Sequence, residues 1–162
     1  MGKFLKYTGI CALLLAAVAF ILMMATDAVV VGTNVQIRYS GVNAIFGNKD
    51  SLLGQNPSAL ALIGWILLLV GLVIVLLGVI LPLLKVSALE KFAGILNLVA
   101  VICFIVAGVF MFIVVPTFAA ANDWGGTDNV TIGAGWVIGG ILAIIAGVVA
   151  ILPAVADFLG KK

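Results

Sequence analysis

Four long apolar stretches, separated by shorter polar ones, dominate the pattern of the chain. The longest, residues 59–84, contains only apolar residues, Gly and Pro, and it carries no charge. A helix rises ~1.5 Å per residue, so this stretch is long enough to cross a hydrocarbon core of ~30 Å. The same reasoning predicts four membrane-spanning helices, over residues 8–31, 59–84, 92–115 and 132–152.

The first apolar stretch follows Lys3 and Lys6, a layout shared by cleavable signal peptides and by first membrane spans. Its apolar run, residues 10–25, is longer than the usual core of a signal peptide and lacks an Ala-x-Ala-like end. Both features favour an uncleaved first helix over a signal peptide.

Small residues recur at helical spacing within the predicted spans. The glycines of the second span lie seven residues apart, which places them on one face of a helix. Alanines repeat at the same interval in the third span, which predicts that it packs on the second. Small residues of the fourth span recur every four residues, a pattern typical of close helix contact within one chain or between copies. The candidate packing residues are Gly64, Gly71, Gly78, Gly135, Gly139 and Gly147.

Two polar stretches, residues 32–58 and 116–131, are predicted loops on one side of the membrane. Apolar and polar residues alternate strictly over residues 31–39, which predicts a half-buried strand. A second short apolar run, residues 42–46, predicts its partner. Because an isolated hairpin is marginally stable, these strands need the helix ends or the second loop to pack on. The apolar residues of the predicted cap strand are Val31, Val35, Ile37 and Tyr39.

Basic residues are divided unevenly between the two predicted sides of the membrane. Only Arg38 and Lys49 fall on the side of the long loops. The excess on the other side predicts cytoplasmic N- and C-termini, and the compact loops suit a bacterial plasma membrane. The basic residues on the predicted cytoplasmic side are Lys3, Lys6, Lys85, Lys91, Lys161 and Lys162.

The composition supports a membrane protein and argues against other classes. Of the 162 residues, 65% are hydrophobic and 9% are charged, whereas roughly a quarter are charged in soluble domains. The net charge of +2 comes from scattered residues, which excludes a clustered nucleic-acid-binding face. We therefore predict a single domain, residues 1–162: an all-α membrane protein whose four antiparallel spans carry a small β-containing extracellular cap.

Residues able to carry chemistry are scarce in the predicted spans. The chain has no His, and no ionisable residue lies in the middle of a span, so coupled transport and intramembrane catalysis lack their usual groups. Asn97 is the one strongly polar side chain clearly inside a span, suited to a helix contact or to a path. Trp65, Trp124 and Trp136 are expected at the outer interface. We predict no catalytic residue, no metal ligand and no cofactor.

The predicted topology resembles the claudin and peripheral-myelin-protein-like tetraspan layout. It shares four spans, internal termini, a longer first outer loop with a strand at residues 31–39, and a shorter second loop. This claudin-like resemblance covers the topology of the whole chain. The first loop of that family carries a Trp, a Gly-Leu-Trp motif and a Cys pair, whereas residues 32–57 contain neither Trp nor Cys. Junction formation and adhesion are therefore not transferred to any residue. Small four-helix proteins of bacterial membranes are the closer likeness and imply no known activity.

These observations favour a structural or interaction protein, surrounded by membrane lipids, that presents the cap. It associates through its glycine faces with itself or with a larger membrane protein complex. The loops carry the polar groups, and the helices carry none of the groups that an enzyme needs. The alternative is a small passive channel or transporter subunit whose path is lined by Asn97, Thr8 and the glycine faces of an oligomer.

Overall fold

The computed structural model describes residues 2–49, 55–80 and 93–159. The predicted link between the second and third spans, with Lys85 and Lys91, lies outside the described residues, as do Lys161 and Lys162. In chain order the helices are α1 (Gly2–Ala25), α2 (Gly41–Phe46), α3 (Ala59–Ile80), α4 (Ala93–Phe112), α5 (Val114–Ala121) and α6 (Ala134–Leu159).

Among the described residues, four helices are long and apolar enough to cross a membrane: α1, α3, α4 and α6. The prediction of four such helices is confirmed. They form a ring in which α6 packs extensively on α4 and on α1, while α3 contacts α4 and, less extensively, α1. Neighbours run antiparallel, because Gly64 approaches Phe110 at one end of the α3–α4 contact and Gly78 approaches Asn97 at the other.

The third predicted span is followed by a further helix that passes through Pro116. Helix α4 breaks at Ile113, and α5 continues through Pro116 to Ala121. Proline has no N–H to donate to the carbonyl of Phe112, and its ring clashes with that carbonyl, so the helix interrupts one turn earlier. The predicted limit at residue 115 thus lies three residues past the end of α4, and the further helix α5 was not predicted.

The fourth predicted span is shifted toward the C-terminus. Ile132, its predicted first residue, belongs to a strand, and α6 begins at Ala134. Helix α6 then continues through Pro153 to Leu159, with Ala150 and Ala154 on its buried side. A proline within an apolar helix is tolerated where packing against neighbouring helices holds the segment in place.

Three short strands form one antiparallel sheet in the described part of the chain: β1 (Asp27–Val31), β2 (Ile37–Ser40) and β3 (Val130–Ile132), in the order β2-β1-β3. The strand β3 comes from the second loop, so the predicted dependence of the hairpin on that loop is met within one chain. The predicted first span, residues 8–31, is too long. Helix α1 ends at Ala25, and the last residues of the predicted span form β1.

The predicted continuous strand over residues 31–39 is also wrong, because the chain turns in its middle. Gly32 adopts a φ of 98°, which favours glycine, and its N–H donates to the carbonyl of Asn129. The predicted partner strand over residues 42–46 is the helix α2 instead. The side chain of Ser40 accepts a hydrogen bond from the backbone N–H of Asn43 and so caps that helix.

Candidate functional site

The candidate site is the cap, which we define as the sheet, α2, α5 and the segments that join them to the long helices. It lies where α1 and α4 end and where α3 and α6 begin. In the described residues, most side chains able to donate or accept hydrogen bonds lie here, whereas the long helices are overwhelmingly apolar. The cap is therefore the part of the molecule best suited to specific recognition.

One face of the sheet is apolar and packs toward the helices. Val29 is paired with Tyr39 on one side and with Ile132 on the other, and paired residues share a face. The buried ring of Tyr39 lies 5.4 Å from that of Phe118 and 5.3 Å from that of Trp124, centroid to centroid. These three aromatic rings join the hairpin to α5 and to the second loop.

The opposite face of the sheet is polar and exposed. Arg38 and Thr131 both pair with Val30, so they lie on the face opposite Tyr39. The guanidinium of Arg38 lies 3.5 Å from the carboxylate of Asp27. An ion pair this exposed contributes little to stability, so Arg38 is available for recognition as well.

The end of α1 is closed by the residue that follows it and by groups from α2 and α6. The hydroxyl of Thr26 donates to the carbonyl of Leu22 at 2.6 Å, and the indole N–H of Trp136 donates to the carbonyl of Met23 at 3.0 Å. The backbone N–H of Gly41 donates to the carbonyl of Thr26 at 2.8 Å. Carbonyls at a helix C-terminus have no partner within the helix, so these bonds fix the cap on α1.

The position of Trp136 corrects the interfacial role expected from the sequence. Its side chain is fully buried between α1 and α6, where its ring packs in the core and its N–H bonds to α1. Trp65 and Trp124 are partly buried and belong to aromatic clusters. The ring of Trp136 thus acts inside the protein rather than at its surface.

The first and second outer loops are joined by a clasp, in which the side chain of Asn122 makes two hydrogen bonds to the backbone of Asn56. Asn122 accepts from the backbone N–H of Asn56 at 2.7 Å and donates to the carbonyl of the same residue at 3.1 Å. Next to them, the buried hydroxyl of Ser58 donates to that of Thr117 at 2.8 Å. These bonds hold the start of α3 against the end of α5.

We expect Asn122→Ala to loosen this clasp and to lower the free energy of unfolding by ~1 kcal/mol, because its hydrogen bonds are partly exposed. Asn34→Ala, in the exposed hairpin turn, is the matched control. Hydrogen exchange in detergent should show faster exchange of the Asn56 and Ser58 amides in the first variant only. Equal exchange in both variants would contradict a clasp at Asn122.

The candidate glycines of the second span face α4. A Cβ built on Gly64 would lie 3.3 Å from Phe110, and one on Gly71 would lie 2.5 Å from the ring of Phe104. A Cβ on Gly78 would lie 3.4 Å from the side-chain oxygen of Asn97. The polar side chain of Asn97 thus lies at the contact between α3 and α4.

The candidate glycines of the fourth span face the interior of the bundle. Gly135 meets Thr26, Gly139 meets Met111, and Gly147 meets Ile105. Helices α4 and α6 also approach each other closely at Gly108 and Gly140, where a Cβ on either would lie within 3.2 Å of the other's carbonyl oxygen. Neighbouring helices of the same chain therefore occupy these small-residue faces.

Of the predicted cap-strand residues, only Tyr39 is buried. Val31 is half-buried at the end of β1, whereas Val35 is 80% exposed and Ile37 is 49% exposed. The alternation in the sequence thus reflects two strands and a turn rather than one half-buried strand. It leaves two large aliphatic side chains of the hairpin exposed: Val35 in the turn and Ile37 at the end of the apolar face of the sheet.

Groups for metal or nucleophilic chemistry are not brought together in the part of the chain that the structure describes. No group of three or more His, Cys, Asp or Glu residues is found there. Cys11 is exposed and Cys103 is buried, and both are free thiols. Comparison with protein-family models, curated proteins and solved structures found no match for the chain.

Proposed function

We propose that the protein is an integral, multi-pass membrane protein of the structural or interaction class, with its cap outside and its termini in the cytoplasm of a bacterial cell. It associates through the cap with a second copy of itself or with a larger membrane protein. Four helices of sufficient length and apolarity support the membrane location. The uneven distribution of lysines supports the orientation.

The observation that carries this proposal is the exposure of Val35, in the hairpin turn, and of Ile37, next to the turn, on a cap rich in polar groups. The glycine faces are occupied inside the bundle, so they are not free for another chain. The exposed surfaces of the long helices are made of large aliphatic side chains, which suit lipid. The hairpin instead exposes aliphatic side chains on a cap rich in polar groups, and such residues favour a protein partner.

The test is to compare the double variant Val35→Ser, Ile37→Thr with Leu14→Ala. Leu14 is a matched control because it is similarly exposed but lies on the lipid-suited face of α1. Native mass spectrometry from a mild detergent measures the mass of each particle and identifies any protein that accompanies it. Burial of one aliphatic side chain contributes about 1.5–3 kcal/mol, so we expect the double variant to bind its partner at least tenfold more weakly.

Two results would contradict the proposal. A native protein that is monomeric and unaccompanied would exclude stable association. Association that survives the hairpin changes but is lost in Leu14→Ala would move the interface from the cap to the face of α1.

A further inference from the structure

The short helix α2 lies across the junction of α1 and α3. At its start, the N–H of Gly41 donates to the carbonyl of Thr26, directly after α1. Near its end, the carbonyl of Ala44 accepts from the N–H of Ser58, directly before α3, at 2.8 Å. The side chains of Ala44 and Ile45 are fully buried. Both ends of α2 are therefore fixed to the helices that it bridges.

Although α2 belongs to a loop, its last residue reaches down beside the long helices. The ring of Phe46 meets that of Trp65 edge to face, with centroids 5.2 Å apart. Trp65 in turn lies beside Phe20 of α1, with centroids 6.0 Å apart. Trp65 is six residues into α3, about 9 Å below the first residue of that helix. Phe46 therefore packs on a side chain from the second turn of α3 that also contacts α1.

The outward face of α2 is apolar. Val42 is 40% exposed and Phe46 is 49% exposed, and residues four apart lie on the same side of a helix. On α3, the exposed side chains of Ile63 and Ile66 lie within one turn of Trp65. The apolar surface of α2 is thus level with the surface that α3 presents to lipid in the proposed orientation.

We propose that α2 is an interfacial helix whose Val42 and Phe46 side chains contact phospholipid acyl chains in the leaflet at the cap end. This inference rests on the proposed membrane location of the bundle. The hairpin with Val35, which precedes α2 in the chain, then stands in water, clear of the membrane. The occupant of this face is lipid because Phe46 packs on the first two turns of α3, whose exposed Ile63 and Ile66 face acyl chains in the proposed orientation.

The depth of α2 can be measured with nitroxide labels in phosphatidylcholine–phosphatidylglycerol vesicles. Each label is attached to one introduced cysteine, in a background where the exposed Cys11 is replaced by alanine and the buried Cys103 is kept. The test variants are Val42→Cys and Phe46→Cys. The controls are Ile63→Cys for the lipid phase and Val35→Cys for water. Power saturation then compares collisions with oxygen, which concentrates in lipid, and with a water-soluble nickel chelate.

We expect the labels at positions 42 and 46 to collide with oxygen as the label at 63 does, and severalfold less with the nickel chelate than the label at 35. Collision with nickel at both positions, as at 35, would place α2 in water and overturn the inference while leaving the membrane location intact. Protection from both reagents would show that protein covers this face, which also overturns it. Nickel collisions at 63 would refute the membrane location, and the inference with it.

Discussion

Replacement of Gly41 by alanine is expected to detach the cap from α1 and to lower the free energy of unfolding by about 3 kcal/mol. A Cβ on Gly41 would lie 1.7 Å from the carbonyl oxygen of Met23 and 2.9 Å from the indole nitrogen of Trp136. The backbone has little room to retreat, because the N–H of Gly41 bonds to the carbonyl of Thr26 and the following residues form α2. Forcing an atom into a packed site of this kind costs about 1–3 kcal/mol or more.

Gly126→Ala is the matched control for this change. A Cβ on Gly126 would meet nothing within 4 Å, and this glycine has no positive φ to preserve. Thermal or denaturant unfolding in detergent, followed by tryptophan fluorescence, should therefore separate Gly41→Ala from both Gly126→Ala and the native protein. If the unfolding free energy of Gly41→Ala is within ~0.5 kcal/mol of that of the control, then α1, α2 and α6 do not pack as closely at Gly41 as the structure shows.

The long helices could be predicted from the sequence because apolar length alone defines them. Their ends could not, because hydropathy does not distinguish a helix from a buried strand in a short segment. Val29, Val30 and Val31 continue the first apolar run, yet these β-branched residues form the central strand β1. The prolines caused the opposite error, because predicted helices were ended before Pro116 and Pro153. Both prolines lie within helices of the structure.

The cap was predicted to exist, but its structure was missed. The period-two alternation extended across a turn at Gly32, and a short apolar run was interpreted as a strand. One local signal for α2 was present, because serine is a preferred N-cap residue. Ser40 caps α2 by accepting a hydrogen bond from the N–H of Asn43, three residues later. The clasp between Asn56 and Asn122 joins residues from separate loops, so no local pattern could have revealed it.

The glycine and alanine patterns indicated close packing of the second and third spans, but they did not specify the neighbours of the fourth. Spacing shows that Gly135, Gly139 and Gly147 share a face, while only the fold shows that α1 and α4 occupy it. The same limitation applies to Trp136, because an indole near a helix end suits either a membrane interface or a helix cap. Its partner, the carbonyl of Met23, lies on a different helix.

Phenylalanine is expected to be a poor substitute for Trp136 and a good one for Trp65. The indole N–H of Trp136 is buried and donates to the carbonyl of Met23 at the end of α1. The substitution Trp136→Phe leaves that carbonyl unpaired and opens a void in a fully buried site. Together these effects should lower the free energy of unfolding by about 2–4 kcal/mol.

Trp65 provides the matched comparison, because its buried indole nitrogen has no hydrogen-bond acceptor among the residues described. The substitution Trp65→Phe removes an unpaired donor and keeps an aromatic ring between Phe20 and Phe46. We expect the unfolding free energy to change by less than ~1 kcal/mol, since the loss of packing is offset by relief of the unpaired group.

Denaturant unfolding of both variants in the same detergent, monitored by helical circular dichroism, measures this difference directly. A larger loss in Trp65→Phe than in Trp136→Phe would contradict the assigned roles. It would mean that Trp65 gains a hydrogen-bond acceptor that the described residues do not supply. The expected order, with Trp136→Phe less stable, follows from the bond between α6 and the end of α1, which holds the base of the cap in place.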